Sequence, residues 1–185
     1  MKQSRRKILG GLFWSYAERI GAQMVSMLVT IVLARLIAPE EYGVISLVTV
    51  FISLANTFVS DGFGNALVQK KNADNLDFSS MLFFSLGVSV ILFLILFAVS
   101  PLVAAYYAMP ALTSVMRVMA IRIPIAAINS IQRAYVSKRM EFKKFFYSTL
   151  IGTVISAFVG IGMAYVGFGV WALVAQYLTN SVIDT

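Results

Sequence analysis

The sequence predicts an all-α, polytopic transmembrane helix bundle of six spans. Two observations carry that prediction. Apolar residues make up 59% of the 185 residues and charged residues only 12%, about half the share of roughly 25% usual in soluble domains. The apolar residues also fall in long runs divided by proline, glycine and charged breakers. That is the hydropathy pattern of a chain that crosses a bilayer repeatedly.

The first run, 8–35, follows Lys2-Gln3-Ser4-Arg5-Arg6-Lys7. Such a start resembles a signal peptide, but the run outlasts an h-region of about 7–15 residues and reads as a retained helix. Pro39 with Glu40-Glu41 separates it from the second span, 42–62, which closes at Gly62 and Gly64. The third, 79–100, stops before Pro101; from Ser85 to Val99 it is nearly pure Val, Ile, Leu and Phe and is expected to face lipid. Pro110 and the charged run at 138–144 bound the fourth, 113–136. The fifth, 145–166, ends at the Gly167/Gly169 pair, and the sixth covers 169–185. At about 1.5 Å per residue, each complete span covers the roughly 30 Å hydrocarbon core. The sixth carries Asn180 and Asp184 but no cationic flank. A truncated chain is therefore expected, with 1–185 a single six-helix unit.

The net charge of +7 could suggest a nucleic-acid partner. The distribution argues for a lipid bilayer instead. Lys2, Arg5, Arg6 and Lys7, then Lys70 and Lys71, then Lys138, Arg139, Lys143 and Lys144 occupy alternate loops, and the opposite loops contain only Arg35. By the positive-inside rule this is a multi-pass protein of the bacterial inner membrane with a cytoplasmic N-terminus.

Cysteine and histidine are absent, which removes thiolate chemistry, disulfides and the commonest metal ligand and general base. No HExxH, GxSxG, GxxxxGK[ST], paired-cysteine or paired-carboxylate signature occurs. Neither an enzyme nor a metal or cofactor is expected.

Polar residues inside the apolar spans form rows. Ser46, Thr49, Ser53, Asn56 and Ser60 share one face of the second span, and Ser15, Arg19, Gln23, Ser26 and Thr30 share one face of the first. Glu18 borders the latter near the midplane. Such rows either pack helices or line a polar pathway. Gly152, Ser156, Gly160 and Ala164 form a small-residue ridge that reads as packing.

The fourth span carries Arg117, Arg122 and Arg133. A guanidinium stays charged, and one at a helix centre in hydrocarbon costs about 2.5–3.5 kcal/mol. Asn129 and Arg133 lie within roughly 20° of Arg122 around a helix, while Arg117 is about 140° away. Pro124 leaves the Ala120 carbonyl without its usual partner, which permits a kink beside Arg122. Arg133 either lines the same face or snorkels to headgroups. Arg122 and Arg19 either pair with Glu18 or hold an anion; two arginines and one glutamate leave a surplus cation.

Arg19, Arg122 and Arg117 are therefore the candidate anion ligands. Glu18, Gln23, Ser26, Ser53, Asn56, Asn129 and Arg133 are the candidate polar lining. Glu18 and Asp61 are candidates for coupling a proton or cation, although Asp61 before Gly62 also reads as a glycine-capped helix end.

Several phrases together resemble the polysaccharide transport family of Wzx-type flippases, in the multidrug/oligosaccharidyl-lipid/polysaccharide (MOP) exporter superfamily. They are Leu33-Ala34-Arg35-Leu36-Ile37-Ala38-Pro39-Glu40-Glu41-Tyr42-Gly43, Ser60-Asp61-Gly62-Phe63-Gly64-Asn65-Ala66-Leu67-Val68-Gln69-Lys70-Lys71, Gln132-Arg133-Ala134-Tyr135, Arg139-Met140-Glu141-Phe142-Lys143-Lys144 and Gly167-Phe168-Gly169-Val170-Trp171-Ala172-Leu173-Val174. The resemblance implies a MATE-like N-terminal lobe that works with a second six-helix lobe around a cationic central cavity. It also implies transfer of an undecaprenyl-pyrophosphate-linked oligosaccharide for O-antigen, exopolysaccharide or capsule synthesis. The alternatives are a multidrug or cell-wall lipid exporter of the same superfamily and, from other classes, a membrane-embedded transferase or a structural scaffold.

Overall fold

A computed structural model describes residues 20–61, 75–139 and 142–185, with side chains described for 20–59, 76–136 and 148–185. Helix α1 is described from Ile20 to Leu36. It is followed by α2 (Pro39–Asn56), which runs into one π-helical turn (Thr57–Asp61). Then come α3 (Asn75–Tyr106), α4 (Ala111–Met119), α5 (Arg122–Arg139), α6 (Phe142–Tyr165) and α7 (Val170–Ile183). No strand occurs among the described residues.

Among the described residues, four stretches are long and apolar enough to cross a membrane: Pro39–Val59, Leu76–Tyr106, Ala111–Val136 and Ser148–Tyr165. Ile20–Leu36 and Val170–Ile183 are shorter apolar helices. Apolar helices among the described residues overlap each of the six expected stretches, four of them at span length. Glu18 and Arg19 lie outside the described residues. So does the side chain of Asp61, whose backbone belongs to the π turn.

Helix α2 begins where the sequence dictates. Extended Ala38 (φ −64°, ψ 145°) precedes Pro39, and Glu40 and Glu41 fill the first turn. Proline's fixed φ and missing amide suit that position, and acidic residues complement the positive end of the helix dipole.

Two boundaries differ from the sequence reading. Helix α3 does not stop at residue 100 but continues through Pro101 to Tyr106. Proline removes the amide that would bond the Phe97 carbonyl, yet that oxygen accepts from the Ser100 hydroxyl at 2.9 Å and from Arg117 Nε at 3.4 Å. With the freed acceptor served, the helix need not end. The fourth span, read as one helix over 113–136, is two. It breaks at Ala120–Ile121, four residues ahead of Pro124, and Arg122 opens α5 as its first residue. The Ala120 carbonyl, which Pro124 cannot serve, accepts from Ile123 N at 3.0 Å.

The core forms around α4, whose Leu112, Val115, Met116 and Met119 are buried. Val48 and Ile52 of α2, Ile123 of α5, and Leu173 and Val174 of α7 close around them, and Val29 and Leu33 bring in α1. Helix α3 exposes Phe83, Phe84, Ile91, Leu94 and Ile95, which suits contact with lipid, and buries Ser85, Ser89 and Ser100 on a narrow seam. Between apolar helices in lipid there is little hydrophobic drive, so close van der Waals approach decides the packing.

That is clearest between α6 and α7. A Cβ on Gly160 would lie 2.9 Å from Gln176 Cβ, and one on Gly152 would lie 3.4 Å from Ile183 Cγ2. The small-residue ridge therefore packs, as expected, against α7. The turn between these helices uses Gly167 (φ 87°) and Gly169 (φ 54°), both left-handed. A Cβ on Gly169 would overlap the carboxylate of Glu41, so the start of α2 and the start of α7 meet at one end of the bundle.

Candidate functional site

Between α1, α5, α6 and α7 lies a cavity of about 510 Å³. Gln23 and Ser26 line it from α1, Arg122 and Arg133 from α5, Thr149, Thr153 and Ser156 from α6, and Gln176, Tyr177 and Asn180 from α7. A second cavity of about 240 Å³ shares Arg122, Arg133 and Asn180 and adds Asn56, Asn129, Ser130, Ser181 and Asp184. The two form one polar region inside an otherwise apolar bundle. It lies toward the end where α5 closes and α7 ends.

The break before Pro124 sets Arg122 at the head of α5, above this region. Its Nε donates to Ser181 Oγ at 2.9 Å, and the guanidinium carbon lies 5.1 Å from the centre of the Tyr177 ring. Of five guanidinium N–H donors, only this one is engaged among the described residues. Its partners are a neutral hydroxyl and a ring face; no described carboxylate pairs with it.

Arg133 is held differently. Its Nη2 lies 2.6 Å from Asp184 Oδ2, and its Nε donates to Asn129 Oδ1 at 3.3 Å. The other oxygen of Asp184 accepts from Thr149 Oγ1 at 2.7 Å. Arg122 and Arg133 are eleven residues apart, about 16 Å along an ideal helix. Both nevertheless reach the last turn of α7, at Ser181 and Asp184. Two cations and one carboxylate leave a net positive charge in the described cavity. In a low-dielectric interior a cation with only neutral partners strongly favours an arriving anion.

The structure brings together Arg122, Arg133, Gln23, Ser26, Asn56 and Asn129. It does not bring Arg117 to them. Arg117 turns toward α3, with Nε 3.1 Å from Ser100 Oγ and its guanidinium 4.4 Å over the Phe97 ring. That corrects its place among the anion ligands: its charge serves the carbonyl that Pro101 left open. Ser53, expected on the lining, is exposed, donates to Val50 O at 2.9 Å and borders neither cavity. The row on α2 is split, because Asn56 faces inward while Ser46 and Ser53 face out.

Sequence reasoning missed the whole wall supplied by α6 and α7. Gln176, Asn180 and Asp184 recur every four residues with Tyr177 and Ser181 beside them, a single helical face. The signal was present, but Asn180 and Asp184 read in the sequence only as marks of a truncated chain. Arg133, half exposed, combines its place on the cavity lining with an ion pair to Asp184.

Residues 32–185 match the family described as polysaccharide biosynthesis protein. The chain is 23% identical over 170 residues to the succinoglycan biosynthesis transport protein ExoT of Rhizobium meliloti (strain 1021), which covers 92% of this chain and 34% of that protein. It is 24% identical over 187 residues to the lipopolysaccharide biosynthesis protein WzxC of Escherichia coli (strain K12), covering 98% of this chain and 37% of that one. To the teichuronic acid biosynthesis protein TuaB of Bacillus subtilis (strain 168) it is 23% identical over 156 residues, with 84% and 32% covered. The chain thus spans about a third of the length of the curated relatives it matches. No solved structure matches it at a significant level. With residues 32–185 matched, the chain belongs to the polysaccharide biosynthesis protein family.

Proposed function

We propose that this chain is the N-terminal six-helix lobe of a flippase for polyprenyl-pyrophosphate-linked oligosaccharide repeat units in the bacterial inner membrane. One observation carries the reading: Arg122 sits at the head of a polar cavity with four N–H donors unengaged among the described residues and no described carboxylate paired with it. A planar guanidinium so presented suits a phosphate, which accepts two parallel hydrogen bonds. The names of the relatives, which speak of succinoglycan transport and of lipopolysaccharide and teichuronic acid biosynthesis, support the substrate class.

In this reading the pyrophosphate binds Arg122 and Arg133, and Arg19, next in sequence to α1, adds a further cation. Gln23, Thr149, Thr153, Gln176 and Asn180 hydrogen-bond sugar hydroxyls in place of water. The polyprenyl tail stays in lipid. Rocking of this lobe against a second one alternates access to the two faces. The alternating cationic loops set the N-terminus and the cavity end in the cytoplasm. Moving a lipid-linked sugar breaks no covalent bond, so the lobe acts as a transporter and not as an enzyme.

The test is complementation in a strain lacking the full-length protein. Arg122→Ala is expected to remove surface polymer at unchanged membrane level, and Arg122→Lys to restore part of it. Full export by Arg122→Ala at normal expression would contradict the assignment.

A further inference from the structure

The ion pair between α5 and α7 stands where an anion would bind. Arg133 and Arg122 both line the joined cavities, and the Asp184 carboxylate reaches Arg133 at 2.6 Å. Asp184 is itself well covered, at 12% side-chain exposure against 50% for Arg133. A buried carboxylate is stable only while its charge is compensated and its oxygens are bonded. Here both oxygens are used, one by Arg133 and one by Thr149.

We propose that Asp184 is an internal counter-anion: it occupies Arg133 while the cavity is empty, and the substrate's pyrophosphate displaces it. This rests on the proposed function, since it takes the anion to be the substrate's phosphate. A pyrophosphate offers more acceptor oxygens to both guanidiniums than one carboxylate offers to Arg133 alone, and that gain must offset the cost of leaving Asp184 bonded to Thr149 only. The empty site meanwhile avoids two uncompensated cations in a low-dielectric wall.

Displacement has a mechanical consequence. Thr149 belongs to α6, and Ser148 Oγ donates to Ile183 O at 3.2 Å, so the end of α7 remains tied to α6 after Asp184 leaves Arg133. What breaks is the ion-pair link between the α6–α7 hairpin and α5, leaving the Arg122–Ser181 hydrogen bond as a remaining polar tie. Binding of the anion thus loosens the contact between two parts of the lobe at the site itself, which gives the substrate a differential grip on two states.

The test is calorimetric titration of inorganic pyrophosphate into the full-length protein in phosphatidylcholine nanodiscs. Asp184→Asn is expected to bind about tenfold more tightly than wild type, the factor for an ion pair that holds Arg133 in about nine molecules of ten. Asp184→Ser should show the same gain and covers a failure of the first variant to assemble. Asp184→Glu keeps the competing charge and should match wild type. In an Arg133→Gln background, Asp184→Asn should bring no gain.

Unchanged or weaker binding by Asp184→Asn and Asp184→Ser, or a gain that persists without Arg133, would overturn the counter-anion role. If Arg122→Gln and Arg133→Gln also left binding and export intact, the anion reading itself would fall. The two failures are therefore distinct. Adding phosphatidylglycerol to the nanodiscs separates the phosphate sources. Unchanged pyrophosphate affinity is expected, and a marked loss would assign the seat to bulk lipid headgroups and overturn the substrate's role.

Discussion

Arg117 Nε lies 3.4 Å from the carbonyl oxygen of Phe97, the acceptor that Pro101 deprives of its helical amide. An intramembrane arginine thereby completes the hydrogen bonding of a proline-interrupted helix. Arg117→Met should destabilise the bundle by about 1.5–3 kcal/mol, the range for a hydrogen bond to a charged donor. In a Pro101→Ala background, where residue 101 supplies the amide, the same substitution should cost less by about 1 kcal/mol. Unfolding measured on all four variants of this cycle checks it; equal costs in both backgrounds would dissociate the two residues. Flipping by Arg117→Met, corrected for folded protein, should stay near wild type.

Gly169 combines a left-handed backbone (φ 54°) with a carboxylate in the space its Cβ would need. Gly169→Ala should therefore lose stability by about 1–3 kcal/mol, from backbone strain and displacement of Glu41 together. Glu41→Ala removes only the second source. The double variant should consequently be more stable than the sum of the two single losses allows, as a thermal-melt cycle in detergent would show. Strict additivity would mean that the carboxylate does not press on the turn.

Ala108 holds φ 54° at the end of α3, where Met109 N bonds Ala104 O at 3.0 Å. That is the helix-terminating geometry usually given to glycine. The left-handed conformation costs an L-residue about 1–2 kcal/mol, and glycine recovers this less its larger unfolded entropy. Ala108→Gly should raise the melting temperature, by a stability gain of up to about 1 kcal/mol. A lowered melting temperature would contradict the strain argument.

Two glycines on α6 make a controlled comparison. Nothing lies within 4 Å of a Cβ placed on Gly162, whereas one on Gly160 meets Gln176. Gly162→Ala should be neutral or stabilising by less than about 1 kcal/mol, through helix propensity alone. Gly160→Ala should cost about 1–3 kcal/mol by forcing α7 away. Because Gln176 lines the cavity, the second variant should also slow flipping, measured per folded molecule.

Much of this was legible in the sequence because hydrocarbon leaves few choices. Apolar runs must be helices, and their breakers must fall near the ends. Arg122, Asn129 and Arg133 could be grouped on one helix, and Gln23 with Ser26 on another, because helical spacing fixes which side chains share a face. Spacing does not reveal which helix a face meets. Arg117 and Arg122 look alike in sequence; only the packing of α4 against α3 turns one toward Phe97 and the break at Ala120–Ile121 turns the other inward. The partner of Arg133 was hidden for the same reason, since residues 133 and 184 meet only through the fold. Pro101 misled because its cost depends on whether a donor such as Arg117 stands nearby.

The central claim is that Arg122 grips the phosphate of a lipid-linked sugar. Its most direct measurement is transbilayer movement of a polyprenyl-pyrophosphate-linked oligosaccharide in proteoliposomes holding the full-length protein. Loss of a charge-assisted contact of about 1.5–3 kcal/mol predicts a roughly ten- to hundredfold slower rate for Arg122→Ala, with Arg122→Lys between it and wild type. A wild-type rate from correctly inserted Arg122→Ala protein would contradict the account.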